Sequence, residues 1–459
     1  MSELTDLGIV DAADALAART ISSRELTEAC LDRIRACDGR HSHEGDPRSI
    51  NAWVRVYEDD AIAAATRADE RLASGAAGPL TGIPIGLKDL YEVAGKPVTA
   101  SSTLLDDVPE RSSAVWERLE AAGMVLLGHL HTHEFAAGGT TDQVGSPWSL
   151  DRSAGGSSGG SGAALAARMT PAATGTDTAG SLRIPSACSG TSTIKPSRGL
   201  VSLAGIVPLS WSCDHPGPMA RTLDDCRALL DGMVPDTRRL RPPATRSLAG
   251  TRIALSPRLS QVELDSDVAA GLERALEACR RLGATLIEPP HPAVSEDVSD
   301  DFIDVVTTEM LSYHRRFDGR REEYRPALRE WVEAGETRAI SGERFAAVLW
   351  RRLEVTAGWS AWLDEHRVDA IVEPTIPVVA PLRGDGYDHA GSDEFLISLT
   401  YLWDWTGFPA VALPAGLGGA GLPVSVSLVG RDGADSEVLA LGSALQAELG
   451  VPTWPVLPS

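Results

Sequence analysis

From residue 83 onward, short apolar runs alternate with helical stretches, and that rhythm constrains the fold more than any other feature. IPIGLK, MVLLG, TRIALS, ATLIEP, DAIVEP and PVSVSLVG read as strands. VWERLEAAG, VAAGLERALEACRRLG and DSEVLALGSALQAEL between or after them read as helices. Apolar runs this short suit strands, and the helices must bury their apolar stripes on something. The alternation predicts an α/β fold, a mixed or mostly parallel sheet covered on both faces by α-helices.

Two stretches break the rhythm. Residues 153 to 221 are rich in Gly, Ser and Thr, yet apolar residues and Pro recur through them, so they are no linker; GAALAARM reads as a small-residue helix packed closely inside. Residues 292 to 365 are charged, helical and aromatic, with Trp331, Trp350, Trp359 and Trp362, and read as an inserted helical cap over the substrate. Ahead of the alternation, the first 75 residues read as helical. Ser22 and Glu25 have capping-box spacing, and an alanine-rich segment stops at Gly75. The expected organisation is an N-terminal helical region, 1–75, packed on a single α/β domain, 76–459, with the insert at about 292–365.

The chain has 459 residues and a formal charge of -22, which gives it no general attraction for nucleic acid or anionic membrane. No run of eighteen apolar residues and no basic-then-apolar leader is present, and the six cysteines form no CxxC pair. The expectation is a cytoplasmic protein with reduced thiols, no membrane partner and no direct nucleic-acid partner. A homodimer is left open.

Some motifs fail on context. GLGGAG, with Gly416, Gly418 and Gly421, fits a dinucleotide fingerprint but precedes a strand where a helix is needed, so it reads as a loop between strands. GSSGG puts Ser158 in a nucleophile-elbow pattern, but PWSLDRSAG upstream does not read as the strand an elbow requires. His129, His131 and His133 alternate, so a strand would bring them to one face as metal ligands; no second ligand cluster accompanies them, and the prevailing reading is strand-end histidines under a loop.

Three features remain. Lys88 ends an apolar strand, where partial loss of water would lower its pKa and let it act as a base. SAGGSSGGSG, residues 153 to 162, brings hydroxyls on a backbone that can pass close to a reacting centre. GTDTAGSLRIP, residues 175 to 185, is a small-residue turn ending in Ser181 that can aim several N–H groups at one point, with Asp177 and Arg183 of opposite charge to pin it.

Together these segments resemble the amidase signature family, whose members use a Ser–cis-Ser–Lys triad. Ser181 falls at the family's nucleophile in TDTxGSxRxP, Ser157 at the bridging serine with its cis peptide, and Lys88 at the lysine of GxxxxxKD. EFAAGGTTDQ, IKPSRGLVS with GPMARTLDD, VEPTIPVVAP and TGFPAVALPAG extend the likeness over nearly the whole chain except the insert. The resemblance implies one large, mixed, twisted sheet and an amidohydrolase that cleaves carboxamide C–N bonds through an acyl-enzyme. In that reaction Lys88 takes a proton from Ser157, Ser157 takes one from Ser181, and backbone N–H groups of Thr178, Ala179, Gly180 and Ser181 hold the oxyanion. The implied partners are a small-molecule amide and water, with no metal and no cofactor.

Ala179 replaces the first of the usual two glycines, and Asp404 stands where many members have Asn. Trp403 and Trp405, in the loop from Tyr401 to Trp405, are expected to contact substrate. The family also contains the glutamine-hydrolysing component of a tRNA-dependent amidotransferase, which is the alternative function. In that case Arg338, Arg344, Arg351 or Arg352 could clamp glutamine's carboxylate. A metal-dependent hydrolase on the HLHTH histidines and a non-catalytic binding protein are the remaining readings.

Overall fold

The computed structural model describes residues 3–240, 247–294, 298–384, 386, 388, 391, 394–452 and 455. Its strands, in chain order, are β1 (Trp53–Val56), β2 (Pro84–Lys88), β3 (Val125–Leu130), β4 (Gly145–Ser146), β5 (Ser149–Ser153), β6 (Ala172–Asp177) and β7 (Ser192–Lys195). They continue as β8 (His215–Ala220), β9 (Arg252–Leu255), β10 (Thr285–Ile287), β11 (Ala370–Pro374), β12 (Ala410–Leu417) and β13 (Pro423–Val429). Eleven of them form one sheet in the order β1-β3-β2-β6-β8-β7-β12-β13-β11-β9-β10; β4 and β5 pair separately.

The sheet is mixed. β3, β2 and β6 are mutually parallel on one flank, and β11, β9 and β10 on the other. The strands between are antiparallel. Every residue of β2, β6, β7, β8, β11 and β13 is buried, as expected of strands covered on both faces. Helices Ser266–Arg281 and Asp435–Leu449 pack on β12, and the short helices Gly159–Ala166 and Arg183–Ser189 pack on each other beside β6 and β7. Among the described residues, no helix is long and apolar enough to cross a membrane.

The small-residue helix Gly159–Ala166 is wholly buried. A Cβ at Gly160 would lie 2.5 Å from the Ala52 carbonyl oxygen and 2.6 Å from the His131 nitrogen, so only glycine lets this helix lie so close to the neighbouring backbone. The loop between β12 and β13 holds Gly418 and Gly421, as the strand reading of its neighbours requires.

Two local readings change. The N-terminal region is not all helix: β1 lies within it and pairs antiparallel with β3 at the sheet edge. Four residues between helices are too few to show a period, and here tertiary pairing decides. The segment before GSSGG does contain a strand, β5, which joins β4 through backbone bonds and carries no apolar signature. Ser158 thus follows a strand and heads a helix, but its hydroxyl is buried and bonds to the Thr176 carbonyl at 3.3 Å.

The insert forms helices Ser299–His314, Pro326–Arg338 and Gly342–Glu365. Trp359 and Trp362 are buried, and Trp359 packs edge-on against Trp403 of the main body with ring centroids 5.2 Å apart.

Candidate active site

Lys88 ends β2 and is wholly buried. Its Nζ donates to Ser157 Oγ at 2.7 Å and to Thr176 Oγ1 at 2.8 Å. Burial depresses its pKa from 10.5 to about 7, against an opposing pull from Asp214 and then Asp177. The shift moves the amine toward its neutral, proton-accepting form near neutral pH.

Ser157 follows a cis peptide bond from Gly156. A Cβ on Gly156 would stand 2.0 Å from the Thr140 carbonyl oxygen, which explains glycine there. The Ser157 carbonyl accepts from the His133 N–H at 2.9 Å and the Thr141 hydroxyl at 3.1 Å, so the strand-end segment and the following loop both fix this residue.

Ser181 sits in the turn between β6 and helix Arg183–Ser189. The Ser158 N–H donates to its carbonyl at 3.3 Å and ties the two serine segments together. Among the described residues, Ser157 Oγ accepts from Lys88 Nζ and no hydrogen bond joins it to Ser181 Oγ. The turn is pinned by Asp177, which accepts from Arg183 Nε at 2.9 Å and Nη2 at 3.0 Å and from the Leu182 N–H at 3.2 Å. The Gly180 N–H also donates to Asp177. Gly180 is therefore the one expected oxyanion donor already engaged elsewhere, because a buried carboxylate draws every donor within reach. Thr178, Ala179 and Ser181 are not drawn to that carboxylate.

Asp404, the departure from Asn, is buried and bonds Arg183 Nη2 at 2.5 Å, giving that guanidinium a second carboxylate.

Ser181, Thr178 and Ala179 line a cavity of about 220 Å³. Phe302, Val306 and Trp331 from the insert form part of its wall. Trp403 and Trp405 do not. Both are wholly buried: Trp403 bonds Glu373 and stacks on Phe408, and Trp405 packs behind Phe302 and under Arg352. Their expected substrate contact is corrected to a core role; large aromatic rings next to a site pack the layer beneath it as readily as its surface.

The four candidate arginines are also occupied elsewhere. Arg338 and Arg344 pair with Asp304, and Arg351 with Asp301. Arg352 donates to the carbonyls of Trp405, Asp404 and Ser212. None of them lines the cavity.

His129, His131 and His133 do not converge on a common point. His129 bonds Tyr57 and the Tyr91 carbonyl, His131 bonds Ser101, and His133 bonds the Thr140 carbonyl. Burial holds the pKa of His131 and of His133 at about 3, so both stay neutral. Among the described residues, no three His, Cys, Asp or Glu are grouped to hold a metal ion.

Thr176, Thr141, Leu209 and Asp214 belong to the site but were not singled out from sequence. Thr and Asp at such positions carry no local signal, and only strand pairing brings them near Lys88 and Ser181.

The amidase family model matches residues 25–439. The chain belongs to the amidase family. It is similar to a glutamyl-tRNA(Gln) amidotransferase subunit from Ralstonia nicotianae, with 34% identity covering 94% of this chain and 95% of that protein. Among solved structures, an amidase superposes with a TM-score of 0.86 at 31% identity, covering 97% of this chain and 100% of that one. The peptide amidase from Stenotrophomonas maltophilia superposes with a TM-score of 0.82 at 25% identity, covering 99% of each chain. As a member of this family the chain is an enzyme that acts on amide carbon–nitrogen bonds.

Proposed function

We propose that the chain is a self-sufficient amidohydrolase for a small amide with an apolar acyl group, using Ser181 as nucleophile and Ser157 and Lys88 as its proton relay. The observation that carries the relay is the 2.7 Å contact between the wholly buried Lys88 amine and Ser157 Oγ. An amide needs a strong nucleophile, a held oxyanion and a protonated leaving nitrogen. Neutral Lys88 takes the Ser157 proton, and Ser157 takes that of Ser181. Ser181 Oγ then bonds to the carbonyl carbon, and the oxyanion meets the N–H groups of Thr178, Ala179 and Ser181. The proton returns through Ser157 to the leaving nitrogen as the C–N bond breaks. Water repeats the sequence on the acyl-enzyme and releases the acid.

The cavity supports the apolar acyl group. A dry cavity of about 150 Å³ already holds benzene, so about 220 Å³ walled by Phe302, Val306 and Trp331 suits an aryl or branched alkyl acyl group.

The second reading is the glutamine-hydrolysing component of a tRNA-dependent amidotransferase. The identity with the glutamyl-tRNA(Gln) amidotransferase relatives over nearly the whole chain favours it, and on sequence alone it is the better supported of the two. Against it, the cavity wall carries Glu394 and no Lys or Arg among the described residues, so glutamine's carboxylate meets no cation there. The deciding measurement is kcat/KM for glutamine and for an aromatic primary amide, on protein purified without partners. The aromatic amide is expected to win by at least about tenfold, the scale of one mismatched contact. Equal or better use of glutamine, or activity only with a co-purified partner and tRNA, reverses the ranking.

A further inference from the structure

Asp214 immediately precedes β8, whose first residue His215 pairs with Asp177 at the end of β6. β2, which ends in Lys88, flanks β6 on its other side. The end of β6 and the turn after it therefore pass between Lys88 and Asp214. Lys88 touches this stretch at Thr176 Oγ1, and Asp214 touches it two residues later. There the Thr178 hydroxyl donates to Asp214 Oδ1 at 2.6 Å. The same carboxylate accepts from the N–H groups of Leu209 and Ser210, each at 3.1 Å. Leu209 and Thr178 both line the cavity, so one buried side chain joins two parts of its wall. The loop is held in turn by the insert: Glu309 accepts from the Ser210 hydroxyl at 2.7 Å and the Ser212 N–H at 3.0 Å.

We propose that Asp214 is a positioning residue for this reaction: its carboxylate fixes Thr178 at the head of the nucleophile turn, and its charge faces Lys88 across β6. The inference rests on the triad reading. The charged groups that act on Lys88 are Asp214 and Asp177, with His133 alongside kept neutral by burial. Asp177 faces the Arg183 guanidinium at two points, a cation it shares with Asp404. Among the described residues Asp214 has N–H and hydroxyl donors and no cation paired with it, so its field remains to act on the amine. Burial raises its own pKa to about 7, with Glu309 adding to the rise. The sign follows from charge: an ionised Asp214 favours the ammonium form of Lys88, and its removal extends the neutral amine to lower pH.

The test is kcat and KM from pH 5 to 10 for the parent, Asp214→Asn and Thr178→Val, using the best amide from a panel, with a thermal melt of each. Asp214→Asn should move the acid limb of kcat/KM down by about one pH unit, the loss of one close opposite charge. Thr178→Val should leave the limb in place and lower the plateau kcat about tenfold, with KM within about twofold, the mark of a group that serves only the transition state. A limb in folded Asp214→Asn that stays with the parent's overturns the charge role. Parent-like kcat in Thr178→Val overturns the positioning role, and that variant carries the test alone if Asp214→Asn does not fold. An active Lys88→Arg, in contrast, sinks the triad reading itself, whatever Asp214→Asn does.

Discussion

The segment from 153 to 197 and the insert from 292 to 365 both reach the cavity, and they are built on opposite terms. In the first, every residue is buried except Arg168 and Ala179, which are half-buried; the residues are small and the backbone is held by hydrogen bonds from neighbouring segments. In the second, large aromatic residues pack against one another and the main body, while Trp350 and Leu353 stay 66% and 62% exposed on the outer face of Gly342–Glu365. In the proposed reaction the first region sets where atoms react, and the second sets what fits beside them. A close-packed hydrogen-bonded segment tolerates almost no change in shape, whereas a side-chain wall can be resized at the cost of affinity.

That contrast predicts a graded series. Ser181→Ala should fold with an unchanged melt and lose on the order of 10⁴-fold or more in kcat, as nucleophile removal does elsewhere. Turnover within tenfold of the parent would remove Ser181 from the mechanism, and Ser158 would be tested next.

Lys88→Arg should be almost as damaging although it keeps the charge, because a guanidinium does not release its proton. In the parent, kcat/KM should rise with pH through about 7 as the buried amine becomes neutral, and should be lost below it. A pH profile flat between 5 and 9 would mean that no ionisation of the lysine in that range governs activity.

On the insert the effects should be smaller and of another kind. Trp331→Ala should raise KM for an aryl amide roughly tenfold, with kcat much less affected, because it removes apolar wall and leaves the reacting atoms alone. If kcat falls as far as in the Lys88 variant, the division between the two regions is wrong. The smallest expected effect is none at all: dialysis against a strong chelator should leave activity unchanged. Activity that is lost and then restored by zinc would bring the HLHTH histidines back.

The sequence was most legible where geometry is dictated by residue size. Small residues at 155–162 and around 178–181 advertise close backbone approach, and the spacing of Lys88, Ser157 and Ser181 could be matched to a family pattern. The large mixed sheet followed from the strand and helix rhythm and from that likeness. What stayed hidden depends on pairing between distant segments. β1 and β5 are short strands without an apolar period, and they exist because a neighbour offers a ladder. Trp403 and Trp405 looked like a substrate wall because aromatic content says nothing about which layer a ring occupies. Gly180 looked like a free donor because nothing local shows that the Asp177 carboxylate turns back onto it.

The placement of Lys88 behind Ser157 has a consequence for the lifetime of the enzyme. A neutral amine is a better nucleophile than water, and an acyl-enzyme is an ester waiting to be attacked. If Lys88 could reach the acyl carbon, it would form a stable amide and end that molecule's activity. Ser181 opens on the cavity while Lys88 is wholly enclosed, with its Nζ spent on the hydroxyls of Ser157 and Thr176. In the proposed reaction the interposed serine passes a proton but keeps the nitrogen a full residue away from carbon. If Lys88 is the base of that reaction, the same enclosure that lowers its pKa also withholds it from the acyl group.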